Sequence, residues 1–187
     1  MMQLTNELAR HPVIAAVRNL EAAETASKST VAAIFILGGS ILTLPEIVKR
    51  AHDGGKYAFV HIDLAEGLGR DEAAVEWCAD VLRADGLIST RPQLLRKASE
   101  SGMVTIQRLF LMDSSSFEHG KRLLRNTPPD MAEVLPGIAP KAVRQLCEAL
   151  DKPVIAGGMI TEKSEIIAAL DAGALAVSVS DERLWNL

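Results

Sequence analysis

Short apolar runs alternate with amphipathic segments along the whole chain, and this alternation most limits the possible folds. The runs are rich in β-branched residues or alanine. Near-continuous apolar runs of this length are typical of strands buried on both faces of a parallel sheet. Eight runs predict strands: Val13–Val17, Val31–Leu37, Tyr57–Leu64, Gly86–Ile88, Val104–Ile106, Met131–Leu135, Val154–Ala156 and Ala174–Val179.

The segments between the runs have helical periodicity and helix-boundary residues. Pro45, Pro92 and Pro140 suit a first helical turn, while Gly102 and Gly173 fall where a helix would end. Seven segments predict helices: Leu20–Lys28, Pro45–Ala51, Asp71–Leu82, Pro92–Ser101, Ser115–Arg125, Pro140–Leu150 and Thr161–Ala172. A short tail, Asp181–Leu187, stands in place of an eighth helix.

Repeated strand–helix units build either an open doubly wound sheet or a closed eight-stranded barrel. The 187 residues give about 23 per unit, and eight nearly equal units favour closure. No Gly-x-Gly-x-x-Gly follows the first strand, and no linker or break in composition divides the chain. We therefore predict an α/β fold, a small single-domain (β/α)8 TIM barrel over residues 1–187.

Composition excludes several classes of protein. The net charge of −4 argues against a protein that covers nucleic acid by charge alone. Cys78 and Cys147 are the two cysteines, too few for a disulfide scaffold or a zinc cluster, and they fit a reducing compartment. No targeting segment is visible, and the most apolar stretch, 31–44, is too short to span a bilayer. The sequence predicts a cytoplasmic protein without membrane contact.

The polar residues at the carboxyl ends of the predicted strands are the candidate site, since a βα barrel builds its functional face there. Gly157 and Gly158 follow the seventh strand and precede a helix, so their backbone N–H groups can meet a phosphate. Ser178 and Ser180 on the eighth strand would complete that cradle. The alternative is a tight turn with two strand-end serines.

Three arginines are further candidates on the same face. Arg91 follows two hydroxyl residues, Ser89 and Thr90, and a planar cation beside hydroxyl donors suits a phosphate or carboxylate. The alternative is a helix cap at Thr90 and a surface ion pair for Arg91. Arg18 is a ligand-binding residue or a rim salt bridge. Arg108 and its neighbour Gln107 point opposite ways on a regular strand, so only one of them faces inward.

Carboxylates at two strand ends leave the chemistry open. Asp63 lies two residues after His61 and can bind substrate hydroxyls, act as a base or hold a metal, and Glu133 is a similar candidate. Gly137 marks the loop that follows. No histidine–cysteine ligand cluster and no lysine at a strand end occur, so we expect neither a metal nor a Schiff-base aldolase. Met112, Met131 and Met159 are expected to fill the core.

A set of longer motifs occurs in order from about Pro12 to Trp185 and resembles one family. The motifs are Val60-His61-Ile62-Asp63-Leu64, Gly86-Leu87-Ile88-Ser89-Thr90-Arg91, Ile106-Gln107-Arg108-Leu109-Phe110-Leu111, Glu133-Val134-Leu135-Pro136-Gly137, Ile155-Ala156-Gly157-Gly158 and Leu184-Trp185. The chain resembles the glycerol-3-phosphate-responsive antiterminators, the glycerol uptake operon antiterminator regulatory proteins of bacteria. The resemblance implies a small TIM barrel that senses glycerol 3-phosphate and binds the leader of glycerol-utilisation messenger RNA, allowing transcription through a terminator.

Residues and resemblance together predict a regulator rather than an enzyme, with no catalytic residues, no metal, no cofactor and glycerol 3-phosphate as the regulatory ligand. The predicted ligand-binding residues are Arg18, Asp63, Ser89, Arg91, Arg108, Glu133, Gly137, Gly157, Gly158, Ser178 and Ser180. The predicted RNA-binding residues, which otherwise form a solvated face, are Arg96, Lys97, Lys121, Arg122 and Arg125. The alternative is a TIM-barrel enzyme, an isomerase or phosphodiesterase, that uses Asp63 and Glu133 on a small phosphorylated substrate. A homo-oligomer is compatible with the sequence.

Overall fold

The computed structural model describes residues 1–187 and forms a closed barrel of eight parallel strands in sequence order. The first strand pairs with the eighth, through Ile14 and Ser178 among others, which closes the sheet. The strands are β1 Val13–Val17, β2 Ala33–Ile36, β3 Tyr57–His61, β4 Gly86–Ser89, β5 Val104–Phe110, β6 Met131–Leu135, β7 Val154–Gly157 and β8 Ala176–Val179. The predicted TIM barrel is confirmed.

Helices connect successive strands around the outside of the barrel. The helices are α1 Met2–Arg10, α2 Leu20–Ser27, α3 Leu44–Asp53, α4 Glu72–Glu76, α5 Pro92–Glu100, α6 Ser114–Asn126, α7 Pro140–Ala149 and α8 Lys163–Asp171. A π-helical turn, Trp77–Val81, extends α4, and 3-10 turns occur at Ile62–Leu64 and Glu182–Leu184. Helices α2 to α8 occupy the seven predicted segments. No helix has the length and apolarity that crossing a membrane requires.

Helix α1, which precedes the first strand, is not among the helices predicted from the sequence. Leu4 and Leu8 lie one turn apart and are both buried among the apolar side chains of the barrel interior, such as Phe35 and Phe59. The cap residue, Met1, makes no side-chain cap hydrogen bond, and Leu4 and Leu8 are the only buried residues of the helix, so the segment carries few of the signals used for the other helices. Helix α1 closes the amino-terminal end of the barrel.

The barrel has an apolar interior at one end and a polar one at the other. Ile14, Phe35, Ile106 and Met131 belong to the interior cluster, whereas a larger cluster packs between the strands and the helices. Further along the same strands, the interior positions become His61, Arg108, Glu133 and Ser178, all of them buried. The polar end coincides with the carboxyl ends of the strands, which we call the mouth.

The carboxyl-terminal tail completes the wall beside β8. Trp185 is buried, and its Nε1 donates to the carbonyl oxygen of Val179 at 2.9 Å. The side-chain oxygen of Asn186 accepts from the backbone N–H of Thr30 at 3.1 Å. A few tail residues therefore stand in for the helix that would follow β8.

Candidate functional site

Alternation along β5 gives two neighbouring residues different surroundings. Ile106 packs in the barrel interior and Leu109 packs among the helices, so Arg108 faces the interior and Gln107 faces the helices. The sequence left open which of the two is turned inward, and the structure assigns that position to Arg108.

A buried carboxylate holds the polar interior together. Glu133 on β6 accepts from Arg108 Nε at 2.6 Å and from Ser178 Oγ at 2.7 Å. The side chain of Glu133 is fully buried and that of Arg108 is 6% exposed. Removing one partner of such a pair would leave an uncompensated buried charge, so the three residues act as a unit. They connect β5, β6 and β8.

Gly157 provides the space for this network. An added Cβ at position 157 would press against Ser178 Oγ and would lie 2.7 Å from Glu133 Oε1. The backbone N–H of Gly137 donates to the carbonyl oxygen of Gly157 at 2.6 Å and to that of Gly158 at 3.1 Å, so the loop after β6 braces the turn after β7. Gly137 and Gly157 thus shape the site through their lack of a side chain.

The turn after β7 has two consecutive residues in the left-handed region. The φ angles are 80° at Gly158 and 64° at Met159, which is an unusual conformation for methionine. The N–H groups of Gly158, Met159 and Ile160 donate no hydrogen bond within the chain. Successive free N–H groups in such a turn form an anion-binding concavity.

A cavity of about 200 Å³ opens beside these N–H groups at the mouth. Six predicted ligand-binding residues line it: Arg18, Arg108, Glu133, Gly158, Ser178 and Ser180. Arg18 makes no ion pair, and Arg108 uses only Nε on Glu133, so guanidinium donors of both remain free. The cavity is smaller than the roughly 300–1,000 Å³ of drug-sized sites and suits a small anionic molecule.

Asp63, Ser89 and Arg91 form a second cluster, beside β3 and β4, and do not line this cavity. Asp63 Oδ2 accepts from Ser89 Oγ at 2.9 Å and from the Thr90 N–H at 2.8 Å, and Arg91 Nε lies 3.3 Å from Oδ1. The predicted third strand runs to Leu64, but β3 ends at His61, so Asp63 lies in the 3-10 turn that follows it. Thr90 does not cap α5, whose cap position is Arg91.

Three buried side-chain atoms near the mouth have no hydrogen-bond partner: His61 Nδ1, Asp63 Oδ1 and Gln107 Oε1. Burial first, and then the positive charge of Arg108, lower the pKa of His61 to about 4, while the carboxylate of Asp63 opposes this shift. His61 is therefore neutral at neutral pH. Its Nδ1 lies 3.8 Å from Asp63 Oδ2, beyond hydrogen-bond distance.

Exposed apolar residues at the mouth were not expected from the sequence. Met131 fills the core as predicted, but Met159 is 70% exposed and Met112 is more so, which corrects the prediction for these two. The Gly157–Gly158 pair signalled the turn, but no residue pattern indicates that Met159 shares its left-handed conformation. Phe110, at the end of β5, is 52% exposed.

The predicted basic residues divide into paired and free groups. Lys97 lies 2.6 Å from Glu76, and Lys121 lies 2.7 Å from Glu118. The other three, Arg96, Arg122 and Arg125, make no ion pair and are exposed on α5 and α6. No group of three or more metal-ligating His, Cys, Asp or Glu side chains occurs in the structure.

Fold and site together define a class: a small TIM barrel whose mouth gathers arginines and free backbone N–H groups around a buried carboxylate. Residues 13–185 match the family described as "Glycerol-3-phosphate responsive antiterminator". The chain belongs to this family, as the motifs of the sequence predicted.

Individual relatives agree with this assignment. The uncharacterized protein YgcP of Escherichia coli (strain K12) is 37% identical over 186 residues, which span 100% of this chain and 97% of that protein. The glycerol uptake operon antiterminator regulatory protein of Listeria monocytogenes has a solved structure that is 36% identical, with a TM-score of 0.88, over 92% of this chain and 94% of that one. A glycerol uptake operon antiterminator-related protein of Thermotoga maritima is 31% identical, with a TM-score of 0.82, over 92% and 96%. Deoxyribose phosphate aldolase of Aeropyrum pernix shares the fold at 15% identity, with a TM-score of 0.71 over 99% and 91%.

Proposed function

We propose that this protein is a cytoplasmic RNA-binding transcription antiterminator that senses glycerol 3-phosphate at the barrel mouth. The observation that carries the proposal is the turn after β7, where the N–H groups of residues 158–160 have no acceptor beside a cavity lined by two arginines. Gly158 is half-buried and Ile160 is buried, and N–H groups in such positions almost always find a partner. A phosphate group supplies three acceptor oxygens and the negative charge that such a turn favours.

The remaining groups of the cavity suit a polyol. Each oxygen of Glu133 accepts one hydrogen bond within the protein, from Arg108 or Ser178, and retains a further acceptor position. A ligand hydroxyl can donate to that position, while Ser180 is free to donate or accept. The phosphate would then lie on the turn and Arg18, with the glycerol hydroxyls toward Glu133.

The same contacts support a sensor rather than an enzyme. Glu133 is held between an arginine and a serine, and Asp63 accepts from Ser89 and Thr90, so the oxygens of both carboxylates are engaged within the protein. A general acid or base needs a proton that it can exchange with the substrate. Incubation of the protein with glycerol 3-phosphate, followed by ³¹P NMR, should show no new phosphorus signal, whereas turnover would favour the isomerase or phosphodiesterase alternative.

Calorimetry tests the ligand. Glycerol 3-phosphate should bind and glycerol should not. Arg18→Ala should weaken binding roughly 10- to 150-fold, because a hydrogen bond to a charged group contributes about 1.5–3 kcal/mol. Ser180→Ala should also weaken it. Arg10→Ala, at the closed end of the barrel, is the matched control and should leave affinity unchanged. Equal affinity for glycerol and glycerol 3-phosphate would contradict the proposed phosphate site.

RNA binding is tested on the leader transcript of the glycerol-utilisation genes. Affinity should rise when glycerol 3-phosphate is present, since a ligand shifts RNA binding only if it prefers the RNA-competent state. Arg122→Ala together with Arg125→Ala should lower the slope of log affinity against log salt, because each lost phosphate contact lowers that slope by about 1. Lys163→Ala on α8 is the control. An unchanged affinity with and without the ligand would refute the coupling.

A further inference from the structure

A second cavity, of about 530 Å³, lies beside the mouth on the helix side of β5. Its walls come from the ends of β4 and β5 and from the first turns of α6. The residues that matter for its chemistry are Thr90, Gln107, Phe110, Ser115, His119 and Arg122. The cavity is large enough for a nucleotide-sized ligand.

Gln107 lines this cavity and carries a hydrogen-bond acceptor of fixed orientation. Its side chain is 1% exposed, and Nε2 donates to the carbonyl oxygens of Ser89 and Arg108, each at 3.2 Å. Turning the amide over would place oxygen against those two oxygens, so the orientation is set by its neighbours. Oε1 then has no donor in the protein. A buried acceptor of this kind is satisfied by a ligand that brings an N–H group.

The charges around the cavity favour an anionic ligand. Arg122 and His119 line the cavity, are exposed and make no ion pair. Asp113 also lines it, but its carboxylate accepts from the Ser116 N–H at 2.7 Å and caps α6. The groove on the opposite side of α6 carries Glu118 and Glu148, and its lysine is paired with Glu118. The two sides of α6 therefore differ in charge, and a phosphate belongs on the β5 side.

We propose that this cavity receives one unpaired nucleotide of the RNA partner, with a base that carries an exocyclic amine: adenine, cytosine or guanine. This inference rests on the proposed function. The exocyclic amine donates to Gln107 Oε1, and the phosphate meets Arg122. The carbonyls of Ser89 and Arg108 lie next to the Gln107 amide, so a uracil edge would set its own carbonyl oxygens against them.

The test uses mononucleotides, so that it does not depend on the leader RNA. The side-chain amide signals of Gln107 in a ¹H–¹⁵N spectrum are assigned by their loss in Gln107→Leu. AMP and CMP should shift these signals, UMP should bind at least several-fold more weakly, and ribose 5-phosphate should leave them in place. Arg122→Ala should weaken AMP binding about tenfold.

A matched pair of variants separates the cavity from the fold. Ser115 and Ser114 are adjacent and exposed at the start of α6, but Ser115 lines this cavity whereas Ser114 lines the opposite groove. Ser115→Trp should abolish the AMP-induced shifts and weaken leader RNA binding at least tenfold, and Ser114→Trp should do neither.

Each outcome separates this inference from the proposed function. If leader RNA binds but Ser115→Trp leaves its affinity unchanged, or if AMP leaves the Gln107 signals in place, the nucleotide cavity is refuted while antitermination stands. If AMP binds as described but leader RNA does not bind, the proposed function fails on its own test and the RNA occupant fails with it.

Discussion

Replacing Gly157 with alanine tests how the polar interior of the mouth is built. A Cβ at this position would press against Ser178 Oγ and approach Glu133 Oε1 to 2.7 Å. Both atoms belong to buried side chains, so neither can swing into solvent. The φ angle of Gly157 is outside the left-handed region, so alanine can adopt the backbone conformation and the cost comes from the collision.

The expected loss follows from two contributions. Separating Ser178 from Glu133 removes a hydrogen bond to a charged group, about 1.5–3 kcal/mol. Overpacking a filled interior adds about 1–3 kcal/mol, and the reduced freedom of the unfolded chain returns about 0.4–1 kcal/mol. We expect Gly157→Ala to lower the free energy of unfolding by roughly 2–5 kcal/mol.

Urea denaturation with Gly157→Ala, Ser178→Ala and the double variant measures this quantity. Because Ser178→Ala removes the oxygen that the new methyl group would strike, the double variant should lose less stability than the sum of the single losses, by at least about 1 kcal/mol. Gly120→Ala is the control, since its Cβ would meet only the flexible end of Leu109, at 3.2 Å. An unfolding midpoint unchanged by Gly157→Ala, or strictly additive losses, would refute the account of the network.

Three further predictions concern groups away from the turn. Burial lowers the pKa of His61 to about 4, so between pH 6.5 and 4 the unfolded chain binds a proton that the folded chain does not. The free energy of unfolding should therefore decrease by about 3 kcal/mol as the pH is lowered from 6.5 to 4, and urea midpoints of His61→Gln should lack this decrease. Burial raises the pKa of Cys78 to about 12 and also raises that of Cys147, so Ellman's reagent at pH 7.5 should label both thiols slowly in the folded protein and rapidly in urea. Rapid labelling of Cys78 in the folded protein would contradict its burial. Leu8→Ala should cost about 2–5 kcal/mol in thermal or urea unfolding because Leu8 packs inside the barrel, whereas a loss under 0.5 kcal/mol would mean that α1 is not part of the core.

Most of the barrel is predictable because its strands are apolar on both faces. All eight runs became strands and all seven amphipathic segments became helices, since the period of the pattern and the turn residues agree there. The errors arise where tertiary contacts determine whether an element forms or where it ends. Helix α1 depends on two leucines that fit the open end of a barrel, and β5 continues to Phe110 because β6 pairs with it as far as Leu135.

The candidate site is predictable as a set of positions but not as a set of contacts. Six predicted residues line the mouth cavity, because strand ends in a barrel converge. The sequence does not show which of these residues bond to one another: Ser178 donates to Glu133, and Ser89 donates to Asp63. Gln107 Oε1 and the backbone N–H of Met159 lack hydrogen-bond partners, and this can be seen only once the positions of all their neighbours are known.

The alternation on β5 means that a single peptide unit separates two compartments. Arg108 reaches into the barrel and Gln107 into the side cavity, and Gln107 is itself anchored to the carbonyl oxygen of Arg108 at 3.2 Å. A tilt of this peptide that drew the guanidinium toward an anion would also turn the Gln107 amide, because the amide is hydrogen-bonded to the same peptide. Communication between two such ligands would require no hinge, no moving domain and no relay of side chains across the molecule. The two sites would be coupled across the width of one strand, and each ligand would change the affinity of the other by the same factor.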